Sequence, residues 1–375
     1  MNESVLQLKC GVKNDDWGKK GKQSQAAQLW SKTPGNGQID DSKMYSEMWI
    51  GTYPKNPSYV ISSGLPLADY LKQNPQVIGK VGVDRWGTEI PFLSKILSFS
   101  KALPLQIHPD KALARTLHKE DPEKFADSNH KPEIAIALSQ FELFVGWKPL
   151  DDIQALLKLK PLERYTPQHG HLTNEILKEV CKALLTASPE MVKDTIKELQ
   201  TIPESQYSEG DNGHLVATLL MNYMTLKPGD AVCVPPDSIH AYLHGDIIEC
   251  MARSDNVLNT GFCPIAERAF KPHSAREAKL PKKRSEKGML GKTNEYAPPI
   301  SEFNVLATCL DAKEREKHKA IFGPSLMVVT EGSGQMAVSG ESLNLEEGYV
   351  FFVGQGVPLE FSTAEGMNVY RTYAE

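Results

Sequence analysis

Gln106 and His108 stand two residues apart in Leu105-Gln106-Ile107-His108, a segment closed by prolines on both sides that reads as a short strand. On a strand that spacing turns both side chains to one face. Two further segments carry polar chemistry, Asn129-His130-Lys131-Pro132-Glu133 and Pro235-Pro236-Asp237-Ser238-Ile239-His240-Ala241-Tyr242. An amide oxygen, two imidazoles and a carboxylate can together make a mixed N/O site for a borderline divalent ion such as zinc. Such a site keeps a position open for water or substrate oxygens, unlike a closed all-thiolate site. With 10 histidines in 375 residues, one Q-x-H pair is weak evidence by itself. His130 is expected not to ligate.

The elements around these segments are mostly strands. Gly (27) and Pro (25) punctuate short apolar runs throughout, which favours many short strands over a helical bundle. Ala231-Val-Cys-Val234 reads as one strand, and Tyr349-Val-Phe-Phe-Val353 as another, apolar on both faces and therefore buried. Leu326–Thr330, the Gly-rich Glu331–Gly334 and Gln335–Val338 read as a hairpin with its turn. Residues 174–185 instead put Ile176, Leu177, Val180 and Leu184 on one helical face. A second helix opens with Ser188 as N-cap and Pro189 at the first helical position, carrying Met191, Val192, Ile196 and Leu199. A helical module over roughly 150–225 is therefore expected between β-rich parts. Those parts share a weak repeat: Leu226–Val234 aligns without gaps on Leu345–Val353, and the same register sets His240 opposite Leu359.

Composition removes several function classes. Hydrophobic residues at 40% and charged residues at 24% are ordinary for a folded soluble chain. A net charge of −5 lacks the clustered cationic excess of a nucleic-acid binder. No apolar run approaches the ~20 residues of a spanning helix, and Met1-Asn-Glu-Ser4 does not open a signal peptide. The six cysteines are scattered without a C-x-x-C pair, the usage of a reducing compartment. A cytoplasmic globular protein with neither nucleic-acid nor membrane partner is expected.

Longer motifs sharpen this. Pro104-Leu-Gln-Ile-His-Pro-Asp-Lys111, Asn129-His-Lys-Pro-Glu-Ile-Ala-Ile-Ala-Leu138, Pro235-Pro-Asp-Ser-Ile-His-Ala-Tyr242 and Gly245-Asp-Ile-Ile-Glu-Cys-Met251 with Ser254-Asp-Asn-Val257 resemble type I mannose-6-phosphate isomerase (phosphomannose isomerase). Asp16–Lys19, Tyr45–Thr52, Pro298–Phe303 and Val328–Gly334 extend the resemblance, in order, over nearly the whole chain. The resemblance implies a mainly β protein of two cupin jelly-roll barrels with an inserted α-helical domain. Residues 1–150 plus 226–265 would form the metal-binding barrel, 151–225 the helical insertion and 266–375 a metal-free barrel with an apolar interior. It also implies one zinc ion per chain held by Gln106, His108, Glu133 and His240.

Three positions depart from the family pattern. Pro104 stands where the family has serine, Asn259 where it has arginine, and Ile265 where it has lysine. A phosphate dianion needs charge-assisted donors, and Asn cannot imitate the planar fork of Arg. Lys131 remains, and Arg253, of the same strand parity as Glu249 and Asp255, is a second candidate for substrate binding; Arg268 and Lys271 are further cations. Two functions are consistent with this. One is a zinc-dependent aldose–ketose isomerase converting mannose 6-phosphate to fructose 6-phosphate, with Glu249, Asp255 or Lys131 moving the proton. The other is a diverged metal-dependent cupin acting on a non-phosphorylated carbonyl substrate as isomerase, lyase or cyclase, or a non-catalytic binding protein.

Overall fold

The computed structural model describes residues 4–166, 171–199, 212–259, 278–300 and 302–375; Ile265, Arg268 and Lys271 lie outside them. The mainly β, double jelly-roll architecture is observed. The strands form two large sheets whose named ladders are antiparallel throughout.

The first sheet is built around Phe92–Phe99 and His240–Ala252. Phe92–Phe99 is buried on both faces. Phe92 and Ile96 pack into the layer between the two sheets, while Leu97 and Phe99 point into the first barrel. Lys95, on that inner face, is only 4% exposed. A charge so placed must be paired, and its neighbours across the ladders, Glu249 and Trp49, bring the partners. His240–Ala252 bends between partners at Gly245: residues before it pair with Phe141–Trp147, those from it onward with Phe92–Phe99. Gly245 has φ +133°, and a Cβ there would meet the Gln140 carbonyl oxygen at 2.6 Å. Only glycine fits that corner.

The second sheet carries the C-terminal barrel, with Met327, Val329, Phe351, Leu359, Phe361 and Val369 inside. The repeat read from sequence has a structural counterpart. Gly229 and Gly348 both sit in turns with positive φ (+83° and +86°), Ala231–Val234 and Val350–Val353 follow, and His240 and Leu359 each open the next long strand. The interior is not wholly apolar, however. Arg371 and His318 are buried there, as are Thr293, Thr308 and Glu316, and His318 bonds to both threonine hydroxyls.

The expected hairpin over 326–338 is absent. Ser325–Val338 is one strand, with irregular register at Val329/Glu331 and Ser333/Gln335, and its turn comes later, at Ser339-Gly340. Gly332 (φ +74°) bends the strand, because a Cβ there would lie 2.1 Å from the Gly366 carbonyl oxygen. Glycine spacing alone does not separate a bulge from a turn.

Two strand assignments also cross the boundaries expected from sequence. Val5–Lys9 pairs with Val350–Val353 and so belongs to the second sheet, and Lys279–Leu280 pairs with Ala231–Val234 in the first. Helices Leu150–Leu157, Asn174–Leu185, Pro189–Leu199 and Asn212–Leu220 fill the stretch expected to be helical, and Met221–Leu226 is already strand. Ser188 caps its helix through the Met191 N–H. Met191 itself is exposed, off the buried stripe.

Candidate active site

Three buried ligand groups converge at one end of the first barrel. His108 Nε2 stands 3.2 Å from Glu133 Oε2, and His240 Nε2 stands 3.2 Å from Glu133 Oε1. The ligand atoms of all three residues lie within 4.8 Å of one another. His108 Nε2, Glu133 Oε2 and His240 Nε2 are nevertheless buried without a well-formed hydrogen bond. Lone pairs that face each other with no proton between them are the signature of a cation site, and two imidazoles with a carboxylate suit zinc.

The surroundings fix which atoms face inward. His108 Nδ1–H donates to the Asn256 carbonyl oxygen at 2.9 Å and His240 Nδ1–H to that of Ser238 at 3.2 Å, which leaves each Nε2 lone pair turned to the centre. The Tyr242 hydroxyl donates to Glu133 Oε1 at 2.6 Å. Burial, then Lys131, pushes the His108 imidazolium down to about 4, so the ring is neutral. Burial works against an ionised Glu133, but its contacts with His108, Lys131 and His240 hold the carboxyl well below the ordinary range. With His108 neutral, Lys131 Nζ at 3.5 Å and the Tyr242 hydroxyl are its lasting supports.

Gln106 is half-buried between His240 and Asn259 in the ladder, so the three side chains share a face. Asn259, where the resemblance expects arginine, therefore borders the same end of the barrel. Pro104 is exposed. His130 turns away and bonds Glu302 Oε1 at 2.7 Å.

Beside this cluster runs a buried row of charges that the sequence reading largely missed. Lys95 Nζ lies 3.2 Å from Glu47 Oε2, 3.5 Å from Glu249 Oε2 and 4.4 Å from the centre of the Trp49 ring. Trp49 Nε1–H donates to Glu47 Oε2 at 2.6 Å. Glu249 is 4% exposed, and burial, then the charge of Glu133, pushes its carboxyl up to about 7 despite Lys95 and Lys131. Asp255 differs: burial raises it, but Lys95, Lys131 and Lys55 together hold it below the usual carboxylate range. Arg253 does not join Glu249 and Asp255. Its Nη2 is 2.5 Å from Glu89 Oε2 and its guanidinium lies over the Tyr53 ring.

Residues 5–150 match the family model for the phosphomannose isomerase type I catalytic domain. Over its full length the chain is 34% identical to the mannose-6-phosphate isomerase of Saccharomyces cerevisiae, covering 100% of both chains. The chain belongs to the type I mannose-6-phosphate isomerase family. The Schizosaccharomyces pombe mannose-6-phosphate isomerase is 32% identical over 99% of this chain and 100% of its own. Among solved structures, a single-residue mutant of phosphomannose isomerase from Salmonella typhimurium superimposes with a TM-score of 0.83 at 25% identity, covering 99% and 100% of the two chains. A zinc-bound mannose 6-phosphate isomerase has the same fold, with a TM-score of 0.83 at 24% identity over 99% of this chain and 100% of that one.

Proposed function

We propose that this protein is a zinc-dependent aldose–ketose isomerase interconverting mannose 6-phosphate and fructose 6-phosphate. The observation that carries this reading is the buried His108–Glu133–His240 cluster, with its converging, unbonded ligand atoms beside a carboxyl that titrates near neutrality. Gln106, on the face shared with His240, is the fourth ligand in this reading, and one zinc ion binds per chain. Zinc held there supplies a Lewis acid for the sugar's carbonyl oxygen.

The chain's own residues do the rest. Isomerisation takes a proton from C2 of the aldose and returns one to C1, while the hydroxyl proton leaves O2 and O1 gains one. A group that carries the carbon-bound proton works best with a pKa near the operating pH. Glu249 fits this requirement, whereas Asp255 is held ionised by three lysines. Lys95 orients the Glu249 carboxylate when it is ionised, and Lys131 steadies negative charge next to Glu133. The barrel walls, including Tyr242, Phe99 and Phe141, exclude bulk water from this end. The setting is the cytosol in this reading, since Cys10, Cys181, Cys233 and Cys250 are buried free thiols.

The test is turnover of mannose 6-phosphate by purified protein loaded with one equivalent of zinc. Activity should vanish with a chelator and return with zinc. No turnover in the loaded protein overturns the assignment.

A further inference from the structure

The sugar phosphate of the proposed reaction carries a dianion at the end remote from its carbonyl. With the carbonyl end at the buried ligand cluster, the phosphate must meet a cation nearer solvent. Among the described residues, the cations around the site differ in what they are free to do. Lys95 and Lys131 lie on the barrel floor with side chains 5% and 7% exposed, each already committed to buried carboxylates. Arg253 is held by Glu89 and Tyr53. Lys13 is shared between Asp15 at 3.2 Å and Glu47 at 3.4 Å. Asn259 shares the ligand face but is uncharged.

Lys111, three residues after His108, is half exposed but pairs with Glu302, which His130 also holds, whereas Lys55 meets a carboxylate of the site itself. Lys55 sits in the loop after Glu47–Ile50, its side chain is 60% exposed, and its ammonium meets Asp255 Oδ2 at 2.8 Å. Asp255 belongs to the site's own wall. Its backbone N–H donates to Asp127 Oδ2, and the next residue, Asn256, supplies the carbonyl that orients His108. Lys55 thus reaches the rim of the cluster from outside on a flexible four-carbon stem, with a single carboxylate partner that two buried lysines also serve. A point charge of this kind can swing from that carboxylate to an arriving phosphate without leaving Asp255 uncompensated.

We infer that Lys55 is the rim cation that binds the substrate's phosphate and sets the preference for a phosphorylated sugar, the sugar entering carbonyl-first. This rests on the isomerase reading above, so the test must separate the two.

Zinc-loaded wild type, Lys55→Met and Lys55→Arg are compared in mannose 6-phosphate kinetics and in calorimetric binding of fructose 6-phosphate. Lys55→Met should raise KM about 10-fold and weaken fructose 6-phosphate binding by about the same factor, with kcat within about two-fold and Lys55→Arg close to wild type. Thermal melts should coincide, because the side chain is exposed. Unchanged KM and binding in Lys55→Met overturn the inference and leave the isomerase reading intact. Binding of fructose 6-phosphate without turnover, weakened in Lys55→Met, upholds Lys55 and overturns the reaction. Wild type that neither binds nor converts the sugar phosphates overturns both.

Discussion

Removing the Tyr242 hydroxyl tests whether the ligand cluster is held from outside as well as from within. Tyr242 is 1% exposed, and its ring packs edge-on against Phe99 at 5.7 Å and Phe141 at 5.2 Å. Tyr242→Phe keeps those contacts and deletes one oxygen. What disappears is the donor to Glu133 Oε1 at 2.6 Å, inside a barrel where water cannot take its place. A hydrogen bond to a charged group contributes about 1.5–3 kcal/mol, so the metal-free fold should lose roughly that amount. The hydroxyl also fixes which carboxylate oxygen faces each imidazole, and changes at such supporting residues typically cost about 10–100-fold in metal affinity. Competition of the protein with a chelating dye for zinc, with a urea melt of the metal-free form, reads both effects. Affinity within two-fold of wild type together with an unchanged melt would refute the reasoning.

Three other outcomes are expected. Glu249 binds its proton more tightly folded than unfolded, so its own contribution to the metal-free fold should be whole below about pH 4.5 and fade as pH rises through 7. At 1.36 kcal/mol per pH unit the gap between about 7 and 4.5 amounts to about 3 kcal/mol; Glu249→Gln should flatten that slope in urea unfolding across the range, and a persisting slope would assign it elsewhere. Asn259→Arg places a guanidinium on the face of Gln106 and His240 and should lower KM for mannose 6-phosphate about 10-fold in steady-state kinetics; no change would show that this edge does not meet the phosphate. Gly348→Ala sets a Cβ 2.4 Å from the Leu29 carbonyl oxygen at φ +86°, so thermal melts should show a loss of about 2 kcal/mol or more while zinc content stays whole.

The His108–Glu133–His240 cluster was legible through the resemblance that its three short motifs carry; spacing alone gave only Gln106 and His108 a shared face. Gln106 and His108, read as sharing a face, reach the same barrel end as His240, which opens the strand found there. The charged row around Lys95 was not legible. In Phe92–Phe99 one lysine among apolar neighbours looks like any strand, and its carboxylates come from residues 47 and 249, joined only by sheet register. Arg253 shows the limit of parity arguments: the strand ends at Ala252, so its two-residue period does not reach Arg253, whose side chain pairs with Glu89. The Gly332 bend escaped for a similar reason, since it depends on the close approach of Gly366 from a distant strand.

The pairing of Val5–Lys9 with Val350–Val353 also bears on how the protein is made. A ribosome delivers these two strands at opposite ends of its work, and at about 5–20 residues per second the later one emerges tens of seconds after the earlier. Through that interval Val5–Lys9 has only the two-residue strand Tyr59–Val60 beside it, its other backbone edge stays open, and Val5, which packs in the C-terminal barrel, is uncovered. An open apolar edge recruits other strands, so the nascent chain needs a chaperone or a fast first barrel to shield it. For the same reason, trimming the first nine residues should injure the half of the molecule that is synthesised last.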